Sequence, residues 1–121
     1  MGTIIKAICK CGFESKDILA GGGFSNFQTT CMAPAICLNC RKFLVKNYKE
    51  KDENCPTCGK KVVFYNDPSL QIRIKEPTKA RVIFSWRISD DGKDFRLPDT
   101  LYLCPECGEM TLTFVEGGFW D

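Results

Sequence analysis

The nine cysteines of this chain fall into four close pairs and a singleton, and that spacing constrains the fold more than any other feature. The pairs are Cys9-Lys10-Cys11-Gly12, Cys37-Leu38-Asn39-Cys40, Cys55-Pro56-Thr57-Cys58-Gly59 and Cys104-Pro105-Glu106-Cys107-Gly108, with Cys31 alone. Two cysteines three apart on a tight turn aim both sulfurs at one point about 2.3 Å away, while amides of the turn donate to the thiolates. Each such knuckle is half a tetrahedron. Proline after the first cysteine pre-sets φ for the turn, glycine after the second supplies positive φ, and the Cys55 and Cys104 knuckles carry both.

Compartment decides between metal and disulfide. The start, Met1-Gly2-Thr3-Ile4-Ile5-Lys6-Ala7-Ile8, is a broken apolar run that stops at Cys9, too short for the core of a signal peptide. No stretch approaches the ~20 apolar residues of a membrane span. The chain is therefore expected in the reducing cytoplasm, where close cysteine pairs are more often metal ligands than disulfides. Nine is also an odd number for a disulfide framework.

Four pairs combine into two sites in three ways. The nested arrangement joins Cys37, Cys40, Cys55 and Cys58, with 14 residues between the pairs, and leaves Cys9, Cys11, Cys104 and Cys107 to tie the two ends together. It is preferred because the short loop costs least entropy to close. The consecutive arrangement, Cys9/Cys11 with Cys37/Cys40 and Cys55/Cys58 with Cys104/Cys107, stays open, since loop closure favours neighbours only logarithmically.

Histidine is absent, which excludes the His-bearing catalytic zinc sites, His-dependent triads and Cys–His nucleophiles. Four thiolates close a site and leave no position for water. The expected cofactor is structural zinc, two ions per chain, with iron as a substitute, and no enzyme activity is expected. Such zinc contributes on the order of 10 kcal/mol of apparent binding free energy to folding. In a chain of 121 residues, whose folding removes roughly two-thirds of its surface from water, that contribution offsets a thin core. Cys31, in Thr29-Thr30-Cys31-Met32-Ala33-Pro34, reads as a buried small hydrophobe, with a substitute ligand or redox thiol as the sharper alternative.

Cys37 to Tyr65 resembles a zinc ribbon, and Cys-Pro-x-Cys-Gly at Cys55 and Cys104 is similar to the knuckles of rubredoxin-like proteins. The resemblance implies metal ligation at Cys37, Cys40, Cys55 and Cys58. It is unspecific for function, because such ribbons occur in RNA polymerase subunits, ribosomal proteins, enzymes and protein-binding adaptors. The tight Cys9-x-Cys11 pair departs from the usual two-residue gap.

Between the knuckles, apolar residues alternate with polar ones over short stretches, the pattern of strands. Leu70, Ile72 and Ile74 alternate with Gln71 and Arg73; Val82, Phe84, Trp86 and Ile88 share one face, and Asp90-Asp91-Gly92 follows as a turn. Phe43-Leu44-Val45, Val62-Val63-Phe64-Tyr65, Thr100-Leu101-Tyr102-Leu103 and Met110 to Val115 are further strand candidates. The expected class is all-β: a small, metal-stabilised fold of zinc-ribbon hairpins ending in knuckles, with a small antiparallel sheet over residues 70–115. One domain is expected over 1–121. A weak division near Asn66-Asp67-Pro68-Ser69 separates a zinc-ribbon lobe at 1–66 from a β-sheet lobe at 67–121 closed by the terminal cysteine pairs.

Charge frames the choice of partner. Residues 1–61 carry ten Lys/Arg against five Asp/Glu, and residues 62–121 carry seven against ten. Arg41, Lys42, Lys46, Lys49, Lys51, Lys60 and Lys61 crowd the first ribbon; of these Arg41, Lys42, Lys46, Lys49, Lys60 and Lys61 are candidate nucleic-acid contacts, with Phe43, Tyr48 and Tyr65 to stack on unpaired bases if exposed. Counting eight thiolates and two divalent ions moves the formal charge from +2 to about −2, so a phosphate footprint has to be local.

A protein–protein adaptor is the leading expectation, because small sheets leave edges and apolar faces to partners. The terminal Gly117-Gly118-Phe119-Trp120-Asp121 is either an aromatic anchor or a tail folded over the core. Rubredoxin-like electron transfer is the third class, separable by colour. Ala20-Gly21-Gly22-Gly23-Phe24 lacks the Gly-Lys-Ser/Thr ending of a phosphate loop and reads as a flexible loop. The acidic groups Asp90-Asp91 and Glu50 with Asp52 and Glu53 sit in turn-like stretches and are not catalytic candidates. Neither a membrane nor a small-molecule substrate is expected as partner.

Overall fold

Residues 2–22, 30–50, 54–72, 81–87 and 94–120 are described by the structure, a computed structural model. Within them the expected all-β class holds. The strands are β1 (Gly2–Cys9), β2 (Ile18–Ala20), β3 (Met32–Cys37), β4 (Lys42–Asn47), β5 (Val63–Phe64), β6 (Val82–Arg87), β7 (Asp94–Pro98), β8 (Tyr102–Leu103) and β9 (Met110–Trp120). Short 3-10 turns lie at Tyr48–Glu50 and Pro68–Leu70. Pairing is antiparallel throughout these strands, in sheets ordered β2-β1-β9-β8, β4-β3-β5 and β6-β7. Among the described residues no helix is long and apolar enough to cross a membrane.

The longest ladder joins the two ends of the sequence: β1 pairs with β9 from Gly2 opposite Trp120 to Cys9 opposite Leu112. Period-two alternation turns Ile5, Ala7, Leu112 and Phe114 inward. The expected sheet over residues 70–115 is therefore corrected: β8 and β9 belong to a sheet that recruits β1 and β2, while β6 and β7 form a separate hairpin. Leu70 closes a 3-10 turn rather than opening a strand, because Asp67 accepts a hydrogen bond from Ser69 N–H at 2.9 Å and caps it. Ile74, Ile88 and the Asp90-Asp91-Gly92 turn lie outside the described residues.

On β6 the one-face expectation holds in part. A register shift between Val82 and Phe84 buries the neighbours Ile83 and Phe84 together, as a bulge does. Phe84 and Trp86 then stack at 6.4 Å. The core has two aromatic groups. Phe84 of β6 and Phe95 of β7 pack with Tyr48 and Phe64, while Phe43, Tyr65, Tyr102 and Phe114 pack on one another.

Two glycine segments read differently in three dimensions. Gly21 is buried and exchanges 2.8 Å hydrogen bonds with Met32, an isolated bridge that stitches the first sheet to the second and pins this glycine in place. Gly23 and Phe24 lie outside the described residues. Gly117 and Gly118 are neither a flexible hinge nor part of a folded-back tail: they lie within β9, at the bulge where the register shifts between Ile4 and Ile5, and Phe119 beyond them is 64% exposed.

Candidate metal centres

The Cys55 and Cys104 knuckles are turns closed by the same local bonds. The N–H of Cys55 donates to Lys60 O at 2.8 Å and that of Cys104 to Glu109 O at 2.9 Å, while Gly59 and Gly108 N–H return to the Cys55 and Cys104 carbonyls. Cys37 faces Lys42 across the β3–β4 pairing at the same five-residue interval. The Cys9-x-Cys11 turn is closed one residue sooner, through Cys9 N–H to Phe13 O and Gly12 N–H to Cys9 O. The missing residue shortens the turn and leaves its closing pattern intact.

The residue after the second cysteine takes positive φ in every knuckle: Gly12 at 103°, Gly59 at 75°, Gly108 at 74° and Arg41 at 54°. For arginine that region costs roughly 1–2 kcal/mol, so at Arg41 the turn is kept against its residue type.

The nine thiols are unbridged, and the structure brings eight of them into two groups: Cys37, Cys40, Cys55 and Cys58, and Cys9, Cys11, Cys104 and Cys107. Within each group the four sulfurs lie within 4.8 Å of one another. This is the nested arrangement. Three of the separations are 3.6 Å for Cys37–Cys58, 3.7 Å for Cys11–Cys104 and 3.8 Å for Cys9–Cys107. A tetrahedron with metal–sulfur bonds of about 2.3 Å has edges of about 3.8 Å, whereas a disulfide needs about 2.05 Å. The sulfur sets fit one four-coordinate cation each. Cys31 is fully buried in the core and belongs to neither group.

The turns prepare some of these sulfurs to be thiolates. Amide donors aimed at the sulfur, first that of Cys11 for Cys9 and that of Cys58 for Cys55, pull both thiols down to about 6. The amides of Lys60 and Glu109 act likewise on Cys58 and Cys107. Four thiols crowded together cannot all ionise without a cation, and the cost falls on others. Cys40 is pushed up to about 12, chiefly by its hydrogen bond with Cys58, and Cys104 to about 12, chiefly by burial.

Sequence reasoning missed Thr111. Its hydroxyl lies 3.1 Å from Cys9 Sγ and 3.6 Å from Cys107 Sγ, and is the donor once those sulfurs are thiolates. The available signal was a polar residue four positions after Cys107, but only the β1–β9 pairing brings it to Cys9.

The basic residues of the first ribbon are distributed around its knuckles. Arg41, Lys42, Lys60 and Lys61 are exposed, and Lys46 and Lys49 are half-buried. Lys60 donates to Asn39 Oδ1 at 3.3 Å, Lys42 to Thr57 Oγ1 at 3.5 Å, and Lys46 to the Asn54 carbonyl, so three ammonium groups fasten one knuckle to the other. Lys51 lies outside the described residues. The stacking aromatics are packed inside: Tyr65 is fully buried, Tyr48 packs on Phe64 and Phe95, and Phe43 on Phe13, Tyr65 and Phe114.

Comparison with protein-family models, curated proteins and solved structures finds no match to this chain.

Proposed function

We propose that this chain is a non-catalytic zinc-ribbon module: two structural zinc ions staple a small β fold that serves as a protein–protein adaptor. The observation that carries the reading is the pair of four-sulfur groups, each with all sulfurs within 4.8 Å of one another and with separations of 3.6–3.8 Å where two sulfurs face each other. All-thiolate sets favour zinc over harder cations, and a closed four-coordinate site holds a fold together without offering a position to substrate. The free thiols suit a reducing compartment such as the cytoplasm.

The adaptor role is supported by the outer face of the β2-β1-β9-β8 sheet. Antiparallel sheets with one buried face usually turn polar residues to water on the other. Here Leu19, Val115 and Ile8 are 47%, 41% and 37% exposed. Leu19 pairs with Ile4, and Val115 with Lys6, the residue between Ile4 and Ile8 on β1, so these side chains form one patch around the Lys6–Glu14 ion pair. Apolar side chains grouped on a solvent face support a partner surface there.

Elemental analysis joined to a visible spectrum tests the metal half: two zinc per chain and no colour are expected, and a coloured iron protein would turn the reading to rubredoxin-like electron transfer. Leu19→Glu combined with Val115→Glu tests the other half. The double variant should keep both zinc ions, and lose whatever protein the wild type captures in its native cell; retention of every partner sinks the adaptor reading.

A second reading, an RNA- or DNA-binding ribbon, is favoured by the exposure of Arg41, Lys42, Lys60 and Lys61 at the knuckle ends. Lys42→Glu with Lys60→Glu should then weaken binding and flatten its salt dependence. Absence of wild-type binding at low salt ends that reading.

A further inference from the structure

We propose that the two sulfur groups fill and empty as a coupled pair, and that Arg41 is the residue coupling them. The proposal rests on reading both groups as zinc sites and adds a relation between them.

Among the four residues that follow a knuckle, Arg41 alone is not glycine, although its φ of 54° is one that glycine adopts without strain. Its side chain leads from the first group to the second. Nη2 donates to the carbonyl of Glu106 at 3.4 Å, within the turn between Cys104 and Cys107. The same nitrogen fills the space beside Gly108, where an added Cβ would stand 2.8 Å from it. Gly108 thus serves its own turn and also seats the guanidinium.

Each end of this contact depends on its own knuckle being closed. Arg41 follows Cys40 directly, so the Cys37–Cys40 turn sets the direction of its side chain. The Glu106 carbonyl is presented by a turn that Gly108 N–H closes on Cys104 O at 3.0 Å. A cation in either group holds one knuckle shut and so orders one half of the contact. The second knuckle then closes at smaller entropic cost, which is positive and reciprocal coupling between two binding equilibria. Four thiolates around a divalent ion leave a net negative centre, and a guanidinium reaching from one centre to the other offsets their repulsion.

The test removes zinc from the loaded full-length chain with increasing chelator under reductant and counts ions per chain by native mass spectrometry. The readout is the product of the zinc-free and two-zinc abundances divided by the square of the one-zinc abundance. Arg41→Gly keeps the left-handed turn and removes the guanidinium; it should still load two zinc ions, with this ratio lowered at least about fivefold from wild type. Arg41→Asn, which also tolerates positive φ, is the second variant and is read in the same way. An unchanged ratio in the variants overturns the coupling. Fewer than two zinc ions on the fully loaded wild type overturns the reading of the sites instead.

Discussion

The phenol of Tyr65, a side chain with no solvent exposure, donates a 2.8 Å hydrogen bond to the carbonyl of Leu103, the residue before Cys104. Tyr65 follows β5 in the first ribbon, so the bond ties that ribbon to the second group of sulfurs. Burial raises the phenol well above its ordinary value and keeps it a neutral donor. Tyr65→Phe removes this buried hydrogen bond and should cost about 1–2 kcal/mol in urea denaturation, with metal content unchanged. Wild-type stability in this variant would mean the bond contributes nothing net.

Gly21 carries a double constraint. Its φ is +86°, and a Cβ built on it would meet Trp86 Cε3 at 2.6 Å. Gly21→Ala adds backbone strain to a displaced indole and should destabilise the fold by at least about 2 kcal/mol. A melting temperature equal to that of wild type would contradict the placement of Trp86 over this glycine.

Metal stoichiometry separates ligands from packing. Cys58→Ser should lose one of two zinc ions and much of the stability that ion supplies. Cys31→Ser should keep both and cost about 1–3 kcal/mol, because it buries a hydroxyl where a thiol packed. Loss of a zinc ion from Cys31→Ser would overturn the assignment of the sulfur groups.

Burial, its largest cause, pushes the Cys31 thiol from the ordinary 9.0 up to about 12, partly countered by the charge of Lys49. At neutral pH it should resist alkylation in the native protein and react only on unfolding; labelling at the rate of an exposed thiol would refute its burial. The sign of the pH effect follows. The folded state holds this proton more tightly than the unfolded chain, so the contribution is complete below pH ~9 and is lost as pH rises toward ~12. Cys31→Ala should remove that part of the alkaline slope in denaturation midpoints.

The knuckles were legible because their chemistry is local. Cys-Pro-x-Cys-Gly contains the φ restriction of proline, the left-handed glycine and both sulfurs within five residues, and the structure closes each such turn as those residue types require. Strands such as β4 and β9 were legible from alternation. β3 was not, since Met32-Ala33-Pro34-Ala35-Ile36-Cys37 has little β-propensity and contains proline. It is a strand because β4 runs alongside it and because β5 pairs only at Ala35 and Ile36, leaving the Pro34 carbonyl to accept from Tyr65 N–H at 3.1 Å.

By itself, then, the sequence determined an all-β chain with four half-sites, since turn geometry and period-two burial are set over a few neighbouring residues. Which half-sites meet was decided by tertiary structure. Loop-closure entropy distinguishes the pairings only weakly, and the β1–β9 ladder supplies the long-range pairing that carries Cys9 to Cys107. The contacts of Arg41 with Glu106 and of Thr111 with Cys9 also arise only there, because each joins residues far apart in sequence, the first between two different sheets and the second across the β1–β9 pairing.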